Sequence, residues 1–245
     1  MQHNLLLINP WIFDFTAYDL WSKPLGLLYI ASFLRNNNFN ISYIDCLDKH
    51  GYGWNPKIKK YGQGNLYREE VTKPDILSNI KRKFCRYGIP EEYFLDQIKK
   101  QPEPDAVLVT SIMTYWYLGP KRVVELIRKI YPKVPIILGG IYASLLPDHA
   151  KREVQPDYLI TGPGEIKTLQ LLAEMFNSEI SDDNIPQTID DYPSPAFDLI
   201  KNPDYLTILT VSVKDPINGV NIINSHPRTR IIFSFLSIFM IFISI

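Results

Sequence analysis

The sequence predicts an α/β fold: a doubly wound, parallel sheet of five strands with helices on both faces. Three observations predict it. Short apolar runs bounded by proline or glycine recur along the chain, as buried parallel strands do. Stretches with helical spacing of apolar residues stand between them. The later runs end in glycine-rich turns, where the backbone can bend sharply or lie close to a ligand.

Leu5-Leu6-Leu7-Ile8, stopped by Asn9-Pro10, is the first strand. Pro24 opens a helix over residues 25–36, which Asn36-Asn37-Asn38 ends. Residues 41–47 make the second strand. Residues 48–104 break the pattern. They are rich in glycine, tyrosine, lysine and proline, and are expected as an insertion on the same domain. One helix is expected in it around residues 76–87 and another around 90–100. Residues 106–112 are the third strand, and Gly119-Pro120 opens a helix to residue 130. Residues 135–138 are the fourth strand, ending in Gly139-Gly140. A short helix over 147–154 follows, then a fifth strand over 158–161. That strand ends in Gly162-Pro163-Gly164-Glu165, and residues 166–176 close the domain as a helix. The domain at 1–176 is thus Rossmann-like or flavodoxin-like. Pro186, Pro193, Pro195 and Pro203 mark residues 177–204 as a linker. Residues 205–210 read as one more strand, the start of a further domain, followed by an irregular apolar tail to 245.

Hydrophobic residues make up 46% and charged residues 21% of the 245, with a formal net charge of zero. That balance is globular and gives no electrostatic footprint for nucleic acid. Cys46 and Cys85, far apart, form neither a disulfide framework nor a zinc site. With no signal-peptide pattern at the start, a reducing, cytoplasmic setting is expected. Residues 231–245 are almost wholly apolar and follow Arg228 and Arg230. The run is shorter than the roughly 20 residues of a spanning helix, so membrane contact is the less favoured expectation.

Right-handed crossovers place all strand C-termini on one edge, where such sheets hold ligands. The first strand is not followed by G-x-G-x-x-G, so the dinucleotide fingerprint is absent. A phosphate loop rich in hydroxyls and glycine is absent too, and the third strand ends in Thr110-Ser111 rather than aspartate. What remains is a neutral, glycine-rich edge. Gly139 and Gly140 beside Gly162 and Gly164 would let a flat ligand lie close to bare backbone, or would merely turn the chain. Thr110, Ser111 and Thr114 offer hydroxyls. Met113, Tyr115, Trp116 and Tyr117 would cover apolar ligand surface or pack on the insertion. Cys85 beside Arg86 is either a reactive thiol or a buried, inert one.

The order Leu6-Leu7-Ile8-Asn9-Pro10, then Lys23-Pro24-Leu25-Gly26-Leu27-Leu28-Tyr29-Ile30-Ala31, resembles the opening of cobalamin-dependent radical SAM proteins. Gly139-Gly140, Gly162-Pro163-Gly164-Glu165, Asp191-Tyr192-Pro193-Ser194-Pro195 and the run over 205–210 continue the resemblance in the same order. The resemblance covers about residues 4–210. It implies a cobalamin (vitamin B12)-binding domain. The nucleotide tail would run beside the sheet near the loops after the fourth and fifth strands. The lower corrin face would sit on the loops after the first and third. The cofactor-binding residues so implied are Asn9, Pro10, Thr110, Ser111, Met113, Thr114, Gly139, Gly140, Tyr142, Ala143, Gly162, Pro163, Gly164 and Glu165.

The pattern departs from the family in two places. The family carries C-x-x-x-C-x-x-C just past this point, and three thiolates hold its four-iron cluster. Here residues 211–216 read Val-Ser-Val-Lys-Asp-Pro, and no cysteine follows Cys85. An iron–sulfur cluster is therefore not expected in this chain, and a truncated or frame-shifted product is the simplest account. Second, Asp48-Lys49-His50-Gly51-Tyr52-Gly53 fits D-x-H-x-x-G, by which some cobalamin proteins supply a histidine to cobalt. It follows the second strand rather than the first, so His50 is either a cobalt ligand or a solvated loop residue. Four functions stay open. They are a cobalamin-binding module without radical chemistry of its own, and half of a two-chain radical SAM methyltransferase-type enzyme with its partner in trans. The others are a non-functional remnant and a flavin or nucleotide module.

Overall fold

The computed structural model describes residues 2–19, 23–57, 64–180, 185–188 and 191–200. In chain order its strands are β1 (Asn4–Asn9), β2 (Ile12–Asp14), β3 (Tyr18–Asp19), β4 (Asn40–Asp45), β5 (Gly64–Asn65), β6 (Arg68–Glu70), β7 (Cys85–Tyr87), β8 (Ala106–Val109), β9 (Ile136–Leu138) and β10 (Tyr158–Leu159). The helices are α1 (Leu25–Asn36), α2 (Glu91–Lys99), α3 (Leu118–Ile130), α4 (Ile141–Leu145), α5 (Pro147–Val154) and α6 (Glu165–Phe176).

The main sheet has five strands in the order β10-β9-β8-β1-β4, and every neighbouring pair is parallel. By position along the chain this is the flavodoxin-like order 2-1-3-4-5. The apolar run of β1 explains its place near the centre: a strand buried on both faces needs side chains that suit two cores. Leu5 and Leu7 point into one core with Leu27, Ala31 and Leu34 of α1 and Leu169 and Leu172 of α6. Leu6 and Ile8 point into the other, with Phe94 of α2, Val123 and Ile127 of α3 and Val154 of α5. The alternation follows from the two-residue period of a strand. The α6 helix stops where Asn177 takes the left-handed conformation at φ 52°.

One reading of the sequence is corrected. The helix expected around 76–87 is a single 3₁₀ turn at Asp75–Leu77 followed by strand β7. Cys85 and Tyr87 alternate with Arg86, so both can be buried together with Ile12, Leu47 and Leu66 in a small satellite cluster. Strands β2, β7 and β6 form a separate antiparallel sheet there. Gly88, at φ 122°, turns the chain where a Cβ would collide with the Cys46 carbonyl oxygen. The insertion is therefore partly β rather than purely helical, although α2 stands where a helix was expected. The stretch expected as a linker, 177–204, is described in part. Residues 191–200 pack along α1: the Ala196 N–H donates to the Leu28 carbonyl at 3.0 Å, and Asp198 pairs with Arg35 at 2.8 Å. The run over 205–210 and the apolar tail lie outside the described residues. Among the described residues no helix is long and apolar enough to cross a membrane.

Candidate functional site

The strand C-termini meet on one edge, and a cleft opens there between the sheet and the α1/α6 layer. Its volume is about 300 Å³, the lower end of the range for small-molecule sites. Leu108, Val109 and Ile137 form its floor on β8 and β9, with Ile160 just past β10. Gly26, Leu27 and Ile30 of α1 form one wall, and Glu165 and Thr168 of α6 the other. Thr110, Gly139, Gly140 and residues 162–164 make the rim.

The glycines at the rim are there for shape. Gly140 sits at φ 99°, and a Cβ on it would lie 2.2 Å from the Ser111 carbonyl oxygen. That conformation is closed to ordinary side chains. Gly162 is also left-handed, at φ 74°. A Cβ on Gly164 would lie 2.9 Å from Ile30 Cδ1, so the glycine sets how closely α6 approaches α1. Hydroxyls fasten the loops to one another. Ser111 Oγ donates to the Gly139 carbonyl at 2.6 Å, and Ser144 Oγ to the Gly140 carbonyl at 2.9 Å. The Gly162 N–H donates back to Ser144 Oγ at 2.9 Å, which joins the loops after β9 and β10. Lys167 Nζ donates to the Thr161 carbonyl at 2.6 Å beside them.

Of the residues implied by the resemblance, Thr110, Gly139, Gly140, Gly162, Pro163, Gly164 and Glu165 converge on the cleft. Ser111 is buried and braces it. Met113 and Thr114 lie on the exposed turn after β8, near the exposed Ile141 and Leu145 after β9. Asn9 ends β1, buried, with its Nδ2 donating to Asp45 Oδ1 at 2.7 Å. Pro10 is buried beside it, against the β1–β2 turn. Tyr142 and Ala143 are not brought to the cleft. Both are fully buried in the core on the other face, and the Tyr142 hydroxyl bonds His149 Nδ1 at 2.8 Å. Burial, then the negative charge of Glu153, raises the Tyr142 phenol to about 12. His50 lies on the loop after β4, its N–H donating to Asp48 Oδ1 at 3.1 Å, and it is not among the cleft residues. Burial and the neighbouring Asp45 raise the Asp48 carboxyl. Among the described residues no group of three or more His, Cys, Asp or Glu is arranged to hold a metal ion. Cys85 is buried.

Gly26, Leu27, Ile30 and Thr168 were not picked out from the sequence. The signal was present in part: Leu27 and Ile30 share a helix face with Gly26 within the Lys23–Ala31 motif, but nothing in it separates wall from core.

Residues 77–172 match the B12 binding domain family. The chain is 25% identical over 183 residues to cytidylyl-2-hydroxyethylphosphonate methyltransferase of Streptomyces wedmorensis, across 74% of this chain and 30% of that protein. It therefore spans less than a third of the length of this relative. Two solved structures are also similar. One is the radical S-adenosylmethionine methyltransferase TsrM of Kitasatospora setae with cobalamin and a 4Fe-4S cluster bound (TM-score 0.46, 16% identity, 73% of this chain and 26% of that one). The other is a cobalamin-binding protein from Desulfitobacterium hafniense (TM-score 0.40, 11% identity, 69% and 58%). Part of the α/β core of this chain, residues 77–172, is thus similar to B12 binding domains.

Proposed function

We propose that this chain is a cobalamin-binding module that takes the cofactor's nucleotide tail into the cleft and lays the corrin on the strand edge. The observation that carries the reading is the cleft itself. Its floor and its α1 wall are apolar, its rim is rich in glycine, and it opens at the C-terminal ends of β8 and β9. The residues fit the group. Leu27, Ile30, Leu108 and Ile137 offer a dry slot for a planar aromatic base. Gly139, Gly140 and Gly162 leave main chain bare at the rim, where a Cβ on Gly140 could not be built. Bound cobalamin supplies a cobalt centre able to carry a methyl group. The chain's own part is to bind, orient and exclude water: Ser111 and Ser144 hold the two rim loops in one shape, and Met113 and Ile141 give the edge an apolar surface.

Radical SAM chemistry also needs three cysteine ligands for its cluster. This sequence has Cys46 and Cys85 only, and both are buried. The proposed role of these residues is therefore to present cobalamin to a cluster whose ligands come from other residues. The test is a visible spectrum of the full chain after incubation with hydroxocobalamin and desalting. Retained corrin bands, lost in Ile30→Trp, which fills the cleft, are the expected result. A folded, colourless wild-type protein overturns the reading. A His50→Ala spectrum identical to wild type removes that histidine as a cobalt ligand.

A further inference from the structure

The loop between β6 and β7 leaves the insertion as a closed unit. The Val71 N–H donates to the Phe84 carbonyl at 3.0 Å and shuts its base. Phe84 is buried there, edge-on to Phe15 with ring centroids 5.2 Å apart. Within the loop, Pro74 leads into the 3₁₀ turn at Asp75–Leu77. Lys73 Nζ donates to the Ile80 carbonyl at 2.6 Å, and the Ile80 N–H to the Leu77 carbonyl at 3.1 Å. Close ends and internal bonds define a compact surface loop of the kind that is frequently functional.

Its outer residues join two chemistries. Ile76, at the middle of the turn, is 89% exposed, and Ile80 is exposed as well. One exposed aliphatic residue needs no explanation; two on one braced loop do, because the charge around them is one-sided. Residues 71–84 hold Lys73, Lys81, Arg82 and Lys83 against a single acid, Asp75, in a chain of zero formal net charge. Lys83 pairs with Glu70 at 2.6 Å. Lys81 and Arg82 are exposed and make no ion pair among the described residues. No aromatic residue stands between Val71 and Lys83, whereas the anchors of protein interfaces are rich in tryptophan and tyrosine. Aliphatic side chains beside cations match a bilayer surface instead, which takes up apolar groups below its headgroups and carries negative charge. The same pairing recurs in the sequence, where Arg228 and Arg230 precede the apolar run 231–245.

We propose that the 71–84 loop is a contact for an anionic membrane surface. Ile76 and Ile80 enter the headgroup layer, and Lys81 and Arg82 meet the lipid anions around them. The contact lies on the bilayer rather than through it, is reversible, and weakens with salt. It does not depend on the cofactor.

The test sediments the full chain with vesicles of phosphatidylcholine and, separately, with vesicles in which a third of the lipid is phosphatidylserine. Binding to the anionic vesicles alone, released by high salt, is the expected result. Ile76→Ser is expected to weaken it about 5-fold, the scale of one partly buried aliphatic side chain. The double variant Lys81→Gln, Arg82→Gln is expected to weaken it about 25-fold, at about 5-fold for each cation near an anionic surface. The replaced side chains are exposed, so the far-ultraviolet circular dichroism of each variant is expected to match wild type. Ile76→Trp is expected to bind at least as tightly as wild type, with its added indole emission shifted to the blue by the anionic vesicles. Wild type that sediments with neither kind of vesicle, or equally with both, overturns the proposal. Anionic-vesicle binding that the loop variants leave intact also overturns it, and moves the contact to another part of the chain, residues 228–245 first.

Discussion

Gly140 and Gly164 look alike in the sequence, each the second glycine of a turn at a strand end, yet they have different work. A Cβ on Gly140 would meet the Ser111 carbonyl oxygen at 2.2 Å and the Ser111 nitrogen at 2.8 Å, both main chain. The residue is also at φ 99°, so strain adds to the clash. A Cβ on Gly164 would meet the far end of the Ile30 side chain at 2.9 Å, which can swing away. Gly140→Ala is therefore expected to cost about 3 kcal/mol or more, and Gly164→Ala less than about 1 kcal/mol, by chemical denaturation. Equal losses would refute the assignment. That both glycines stand at strand ends was legible in the sequence; what each one touches was not, because the contact is made by a residue about thirty or more positions away. Tyr142 shows the same limit. Next to the glycine pair it resembles a site residue, but a short helix starts at Ile141 and its first turn directs the ring into the core toward His149.

At the scale of elements, the five parallel strands and the helices α1, α3, α5 and α6 were legible, since each has a period set by one face or two faces of burial. The insertion was not. Its strands are two or three residues long and hold together through pairs distant in sequence, among them Arg86 with Glu69 at 2.5 Å. One such pair sets a prediction. Lys49 is fully buried against Asp19, Nζ to Oδ2 at 2.6 Å, and ties the loop that carries His50 to β3. Removing one member of a buried pair strands the other charge, at a cost of about 3–5 kcal/mol. Lys49→Met is expected to lose that much stability, and the double variant Lys49→Met, Asp19→Leu to regain most of it. A double variant as unstable as the single one would show that packing, not charge, holds the loop.

For the whole molecule, the consequence lies in where the cleft sits, between parts that also pack on one another. One wall is α1, to which the 191–200 segment is fastened; the other is α6; the floor is the sheet. Both helices share a core with Leu5, Leu7 and Leu108, so a cleft left filled with water interrupts the packing of that layer. A ligand in the cleft replaces that water and bonds only the folded chain. It therefore stabilises by mass action, about 2.7 kcal/mol at a hundred times its dissociation constant. For a domain of this size each kcal/mol raises the melting temperature by about 2–4 °C. Saturating hydroxocobalamin is thus expected to raise the Tm of the full chain by about 5–10 °C, measured by far-ultraviolet circular dichroism. Tail-less cobinamide leaves the slot between α1 and α6 empty, and at the same concentration is expected to raise it by less than half as much. A cobinamide shift equal to that of hydroxocobalamin would mean that the corrin edge alone carries the stabilisation and that the cleft contributes nothing to it.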